Sequence, residues 1–212
     1  MIWSRSISTA SLANVGRGGI SVHRCRNQTT LILVAGLATL SVVEASYADS
    51  WSKPVAVRRD LTECVSYRAQ FRKDWLIIEA RHESDWHTYA MDNKKRAARA
   101  LKGEEPLGME LPTEINLSEG LKAIGPWYQT KPDDLSKPEL RWYSWGFSKT
   151  STFAVRVEQT GASSAVVSIR GQACDAKSCL GVKVSIPLPL NDDNAPRSKK
   201  PVDLSKLVRV ER

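Results

Sequence analysis

The sequence predicts an all-β sandwich carrying one short helical insertion, and three observations predict it. STFAVRVE (residues 151–158) alternates cleanly: Phe153, Val155 and Val157 fall on one side, Thr152, Ala154, Arg156 and Glu158 on the other. That is the period-two pattern of a half-buried strand. Residues 165–174 and 180–187 read as two further strands joined by a tight turn, and NKKRAARAL (residues 93–101) is the one clear helical stretch. Several short strands punctuated by turn signals are the pattern of a sandwich.

Taken in order, residues 1–48 read as a secretory leader with a long basic region. Arg5, Arg17, Arg24 and Arg26, with no acidic residue among them, precede the uncharged run LILVAGLATLSVV, and Ser46 and Ala48 hold small-residue positions before Asp49. The run at residues 31–43 is shorter than the about 20 residues that span a bilayer. An uncleaved anchor or a buried strand there is the alternative. Residues 49–70 read as a polar lead-in and 71–190 as the sandwich. WLIIEARH (residues 75–82) begins it, a turn follows at 83–85, and WHTYAM (residues 86–91) reads as a second strand. The helix is built from Ala, Lys and Arg, strong helix formers, and stops toward Gly103 and Pro106. It reads as a surface decoration. PTEINLSEG (residues 112–120) alternates through Ile115 and Leu117, KPDDLSKP (131–138) is a loop by composition, and ELRWYSW (139–145) is a strand or an aromatic loop. Residues 191–212 read as a polar tail.

The 212 residues carry a net charge of +8, and loss of residues 1–48 leaves 164 residues at about +5. Basic residues are scattered, apart from Lys94 to Arg96 with Arg99 and Lys102 nearby. A solvated helix face accounts for that cluster, and no nucleic-acid motif accompanies it. No serine–histidine or paired-carboxylate arrangement points to hydrolysis. No nucleic acid, cofactor or metal is expected, and membrane contact is expected only if the apolar run stays uncleaved.

Four cysteines are present: Cys25 in the leader, and Cys64, Cys174 and Cys179 beyond it. Export implies an oxidising compartment, and an odd number leaves one thiol free or paired with another molecule. In GQACDAKSCLG (residues 171–181) the two cysteines flank a four-residue turn. On the second arm Leu180, Val182, Val184 and Ile186 share the core face, so Cys179, Gly181, Lys183 and Ser185 point outward. On the first arm Cys174 falls with Ser168, Arg170 and Gln172, also outward. The turn sets Cys174 opposite Cys179, at about 4.5–5.5 Å between Cα atoms, and a disulfide accepts about 4.4–6.8 Å. Such a bond closes a very small loop and returns little stabilisation. It can be a decorative staple or a redox pair that partners reach. Lys177, Lys183 and Arg170 lie near it and Asp175 acts against them. A metal clamp is a weaker reading, because C-x4-C is not a zinc-knuckle spacing and nothing places His82 or His87 nearby.

Several stretches resemble one family: WHTYAMD (86–92), LPTEINL (111–117), WYSWGFSK (142–149), STFAVRV (151–157) and above all VSIRGQACDAKSCLG (167–181). In this order they resemble the N-terminal periplasmic domain of the bacterial thiol:disulfide interchange protein DsbD, including its stand-alone relatives. The resemblance covers roughly residues 71–190. It implies an immunoglobulin-like β-sandwich and a redox disulfide between Cys174 and Cys179. It implies electron transfer by thiol–disulfide exchange with periplasmic thioredoxin-like proteins or a separate membrane thiol conductor, since the chain has no room for the family's membrane portion. It also implies an aromatic cap over the pair, for which Tyr143 and Trp145 are the candidates. Where relatives carry prolines after the second cysteine, this chain has Gly181 and Val182. The implied location is the periplasm or the secreted fraction, with membrane anchoring by residues 31–43 as the alternative. The competing function is a noncatalytic binding or structural sandwich with an inert disulfide.

Overall fold

The computed structural model describes residues 50–105, 110–191 and 195–211. The leader reading lies outside the described residues. Two sheets face each other. The first takes β1 (Val55–Arg59), β2 (Thr62–Arg72), β3 (Trp75–His82), β6 (Leu121–Thr130), β9 (Thr150–Gln159), β12 (Arg197–Ser198) and β13 (Leu207–Arg209). Its order is β1-β2-β3-β9-β6-β13, with β12 parallel to β2. The second takes β4 (His87–Tyr89), β5 (Glu114–Leu117), β7 (Asp133–Asp134), β8 (Trp145–Phe147), β10 (Ser164–Cys174) and β11 (Cys179–Pro189). Its order is β11-β10-β4-β8-β7, with β5 on β10. One helix, α1 (Asn93–Leu101), is inserted between β4 and β5. The molecule is an immunoglobulin-like β-sandwich with one short helical insertion.

Alternation builds the core. Val65, Tyr67, Ala69 and Phe71 of β2 meet Leu76 and Ile78 of β3, Phe153 and Val155 of β9, Val167 and Ile169 of β10, and Val184 and Ile186 of β11, all nearly inaccessible to solvent. Removing this apolar area from water is the main favourable contribution to folding. The three stretches that predicted the fold form strands or helix where expected, and α1 spans the nine residues read as helical.

Two boundaries move. The stretch read as a polar lead-in holds β1 and most of β2, and even the segment before β1 is attached: Ser52 N–H donates to Ala69 O at 2.9 Å and Trp51 lies under the Arg68 guanidinium. Its charges occupy the outward positions of β1 and β2 and the turn at Asp60, and so conceal the inward apolar set. The stretch read as a polar tail holds β12 and β13, and β13 closes the first sheet against β6. Nor is α1 a decoration. Leu101 is buried, Asn93 Oδ1 accepts from Trp145 N–H at 2.7 Å, and Arg99 pairs with Glu211.

Candidate functional site

The β10–β11 hairpin runs for eleven paired positions and ends on Cys174 opposite Cys179. The turn between them is fixed by its own side chains. Asp175 N–H donates to Ser178 O, and Asp175 Oδ1 accepts from the N–H groups of Lys177 and Ser178 and from the Ser178 hydroxyl. This is the short-range capping that Asp supplies in turns. Cys174 and Cys179 are joined by a disulfide, with Cα atoms 4.0 Å apart.

The two halves of the bond differ. Cys179 stands on the sheet's edge strand and is exposed. Cys174 stands one strand in and is only 2 % exposed. The expectation that both cysteines lie open on an outward face is therefore corrected for Cys174. The reason is β4, whose His87 pairs directly with Cys174 and brings its imidazole onto the same side of the sheet. His87 Nε2 lies 3.2 Å from the Tyr89 hydroxyl, and the two rings meet edge to face. Burial holds the His87 imidazole below its ordinary value, with Asp175 opposing. Burial also pushes the Tyr89 phenol up to about 12, with Glu110 adding to it. Both groups are thus neutral at neutral pH, and the wall beside Cys174 carries no charge.

A second wall comes from the other sheet. Arg59, the last residue of β1, reaches the cysteine turn, where its Nη1 donates to Ser178 Oγ and lies 3.4 Å from Asp175 Oδ2. Its guanidinium also stacks 5.0 Å from the centre of the buried Trp86 ring, immediately before β4. One arginine thus ties together β1, the approach to β4 and the turn between the cysteines. Hydrogen bonds from the Lys177 backbone and then from Ser178, with the positive charge of Arg59, keep the Asp175 carboxyl below the usual range despite partial desolvation. It remains ionised beside Arg59.

Tyr143 and Trp145 lie away from the pair, Trp145 in the second sheet and Tyr143 in the loop before it. Trp145 begins β8, which pairs with β4 and not with β10. Tyr143 lines a cavity beside α1 with Trp142 and Leu111. Sequence reading found both cysteines and their opposition. It missed Arg59, because nothing local connects a residue at position 59 to a turn at 175–178. His87 and Tyr89 were legible as a strand, and only the β4–β10 register puts them beside Cys174. Cys64 is a free thiol, fully buried in β2. No cluster of metal-ligating side chains occurs among the described residues.

No family model and no curated protein matches the chain. Among solved structures it is similar to the N-terminal periplasmic domain of ScsB from Proteus mirabilis, with 16 % identity and a TM-score of 0.49 over 69 % of this chain and 53 % of that one. It is also similar to the N-terminal domain of DsbD from Neisseria meningitidis in the reduced form, with 11 % identity and a TM-score of 0.42 over 60 % of this chain and 86 % of that one. The chain spans about half the length of the ScsB domain it matches. Among the described residues, no helix is long and apolar enough to cross a membrane.

Proposed function

We propose that this protein is an exported thiol–disulfide exchange domain that passes electrons through reversible formation of the Cys174–Cys179 bond. The observation that supports it is the asymmetry of the pair: an exposed cysteine on an edge strand bonded to a buried one beside neutral His87 and Tyr89. A partner thiolate attacks the Cys179 sulfur, the Cys174–Cys179 bond breaks, and Cys174 leaves as a thiolate that takes up a proton. A second partner thiolate then attacks the partner's own sulfur in the mixed disulfide and releases Cys179. The partner ends as a disulfide and the hairpin as a dithiol, so two electrons have moved. In the reverse direction Cys179 attacks first and Cys174 resolves.

The partners this reading calls for are thioredoxin-like proteins of the periplasm or a separate membrane thiol conductor, with residues 1–48 serving as the export leader. His87 and Tyr89 are assigned the shielding role ahead of Tyr143 and Trp145, because β4 adjoins β10 and β8 does not. The test is the reduction potential of the pair, measured in glutathione and dithiothreitol buffers by alkylation and mass. A value between about −180 and −270 mV is expected, the range of working exchange proteins. A bond still closed below about −300 mV is a staple, and the reading fails.

A further inference from the structure

The outer face of the β10–β11 hairpin continues away from the disulfide in register: Gln172 faces Gly181, then Arg170 faces Lys183. A groove of about 440 Å³ runs along it. Gly181 gives it an open floor, since a Cβ there meets nothing within 4 Å. Leu111 and Pro112 form one wall, and Leu111 N–H donates to Gln172 Oε1 at 3.0 Å, which anchors wall to floor. Arg170 and Lys183 line the far end, both exposed. Like charges directly opposite on neighbouring strands destabilise a sheet. Glu114, the cross-strand neighbour of Arg170, also lines the groove and offsets part of this charge, yet neither Arg170 nor Lys183 forms an ion pair among the described residues, and two cations stand against one carboxylate. The groove thus keeps a net positive charge at its far end, with Lys183 on the edge strand facing a second cation, and a like-charge pair retained against local consistency marks a place where something else is recognised.

We propose that this groove docks the exchange partner as an extended acidic segment. The proposal rests on the exchange reading of Cys174–Cys179 and adds where and how the partner lies. Cys179, Gly181 and Lys183 share one face. At about 3.4 Å per residue the basic pair stands roughly 14 Å along the strand from the disulfide. An extended partner whose cysteine meets Cys179 brings its second residue over Gly181 and its fourth onto Arg170 and Lys183. The partner is therefore a strand-like peptide with a carboxylate four positions from its reactive cysteine and room for a bulky side chain two positions from it.

The test uses the reduced full chain and single-cysteine peptides carried as mixed disulfides with thionitrobenzoate, with Glu, Gln or Lys four positions from the cysteine on either side. The Cys179 thiolate attacks the peptide sulfur, that disulfide breaks, and thionitrobenzoate leaves as a coloured thiolate whose release gives the rate. Cys174, losing its proton, then displaces the peptide thiol and closes the hairpin bond. A Cys174→Ser/Cys179→Ser chain reports background from Cys25 and Cys64. We expect the Glu peptide to react about five- to tenfold faster than the Lys peptide at low salt, and the difference to shrink at about 0.5 M salt. In an Arg170→Gln/Lys183→Gln chain the preference for Glu disappears or reverses, because Glu114 remains in the groove, while the Gln peptide keeps its rate within about twofold. Equal rates for all peptides, or a preference that survives in the double variant, overturn the docking proposal. If the reduced pair reacts normally with a small aromatic disulfide yet ignores peptide charge, exchange stands and docking falls. If it reacts with neither, both fall.

Discussion

Cys64 and Cys179 carry the same functional group in opposite settings. Cys64 lies in the core with its sulfur 3.7 Å from Thr62 O, and no described partner approaches it from outside. Alkylation of the reduced native protein is therefore expected to label Cys179 within minutes and Cys64 only after denaturation, read by peptide mass. Arg59 bridges β1 to the cysteine turn, so Arg59→Gln should make the disulfide easier to reduce. The hydrogen bonds it makes are partly exposed, and a loss of about 1 kcal/mol corresponds to roughly 20 mV. An upward shift of that order in the glutathione equilibrium is the expected outcome. His82 gives a pH dependence. It is buried, with Nε2 2.8 Å from Thr88 Oγ1 and Nδ1 on the Lys149 carbonyl. Burial lowers its proton affinity, with the Lys149 carbonyl opposing. As pH falls, the unfolded chain takes up this proton first, near pH 6.5, and stability declines from there to the depressed folded value. Tm should therefore fall between pH 7 and pH 5. His82→Gln should start lower and show a shallower decline, with the His87 share remaining because burial lowers that group too.

At the scale of elements, α1 depends on one carboxylate. Asp92 is 3 % exposed, and its oxygens accept from Arg96, from Gln129 Nε2 on β6 and from Glu211 N–H near the end of β13. Burial pushes this carboxyl up, and the Arg96, Gln129 and Glu211 donors outweigh it and hold it below the usual range. Asp92→Ala leaves a partly buried guanidinium and a buried amide without their acceptor. It should cost roughly 3 kcal/mol in urea unfolding. Gly146 plays a steric part. A Cβ there would stand 2.4 Å from Thr88 O, so Gly146→Ala forces β8 away from β4 and should cost about 2–3 kcal/mol by the same measurement. Legibility in the sequence divides along the same lines. Strands with one solvated face, β9 and β11, announce themselves by alternation. β6 does not, because Gly125-Pro126 interrupts it with turn chemistry, and its pairing with β9 shifts register between Ile124 and Tyr128. β4 spans only three residues and gains its meaning from the strands on either side.

Over the whole molecule, the first sheet is bounded by strands from the two ends of the described chain, β1 at one edge and β13 at the other. Deleting residues 204–211 removes β13 and the buried Val210, and bares the edge of β6. A loss of about 2–3 kcal/mol, or roughly 4–12 °C in Tm, is expected, together with concentration-dependent association through the open edge. The sandwich as a whole and the facing cysteines were readable from a few alternating stretches and one turn. The burial of Cys174 and the reach of Arg59 were not, because both depend on which strands become neighbours over more than eighty residues of sequence. The five-residue spacing of the bonded cysteines bears on how the chain is first oxidised. Cys64 lies 110 positions before Cys174. In an unfolded chain the chance of two residues meeting falls with roughly the three-halves power of their separation, so Cys174 encounters Cys179 about a hundred times more often than it encounters Cys64. A chain oxidised before it folds would close the native pair first and leave Cys64 to be sealed into the core as a thiol, with no isomerase needed to correct it.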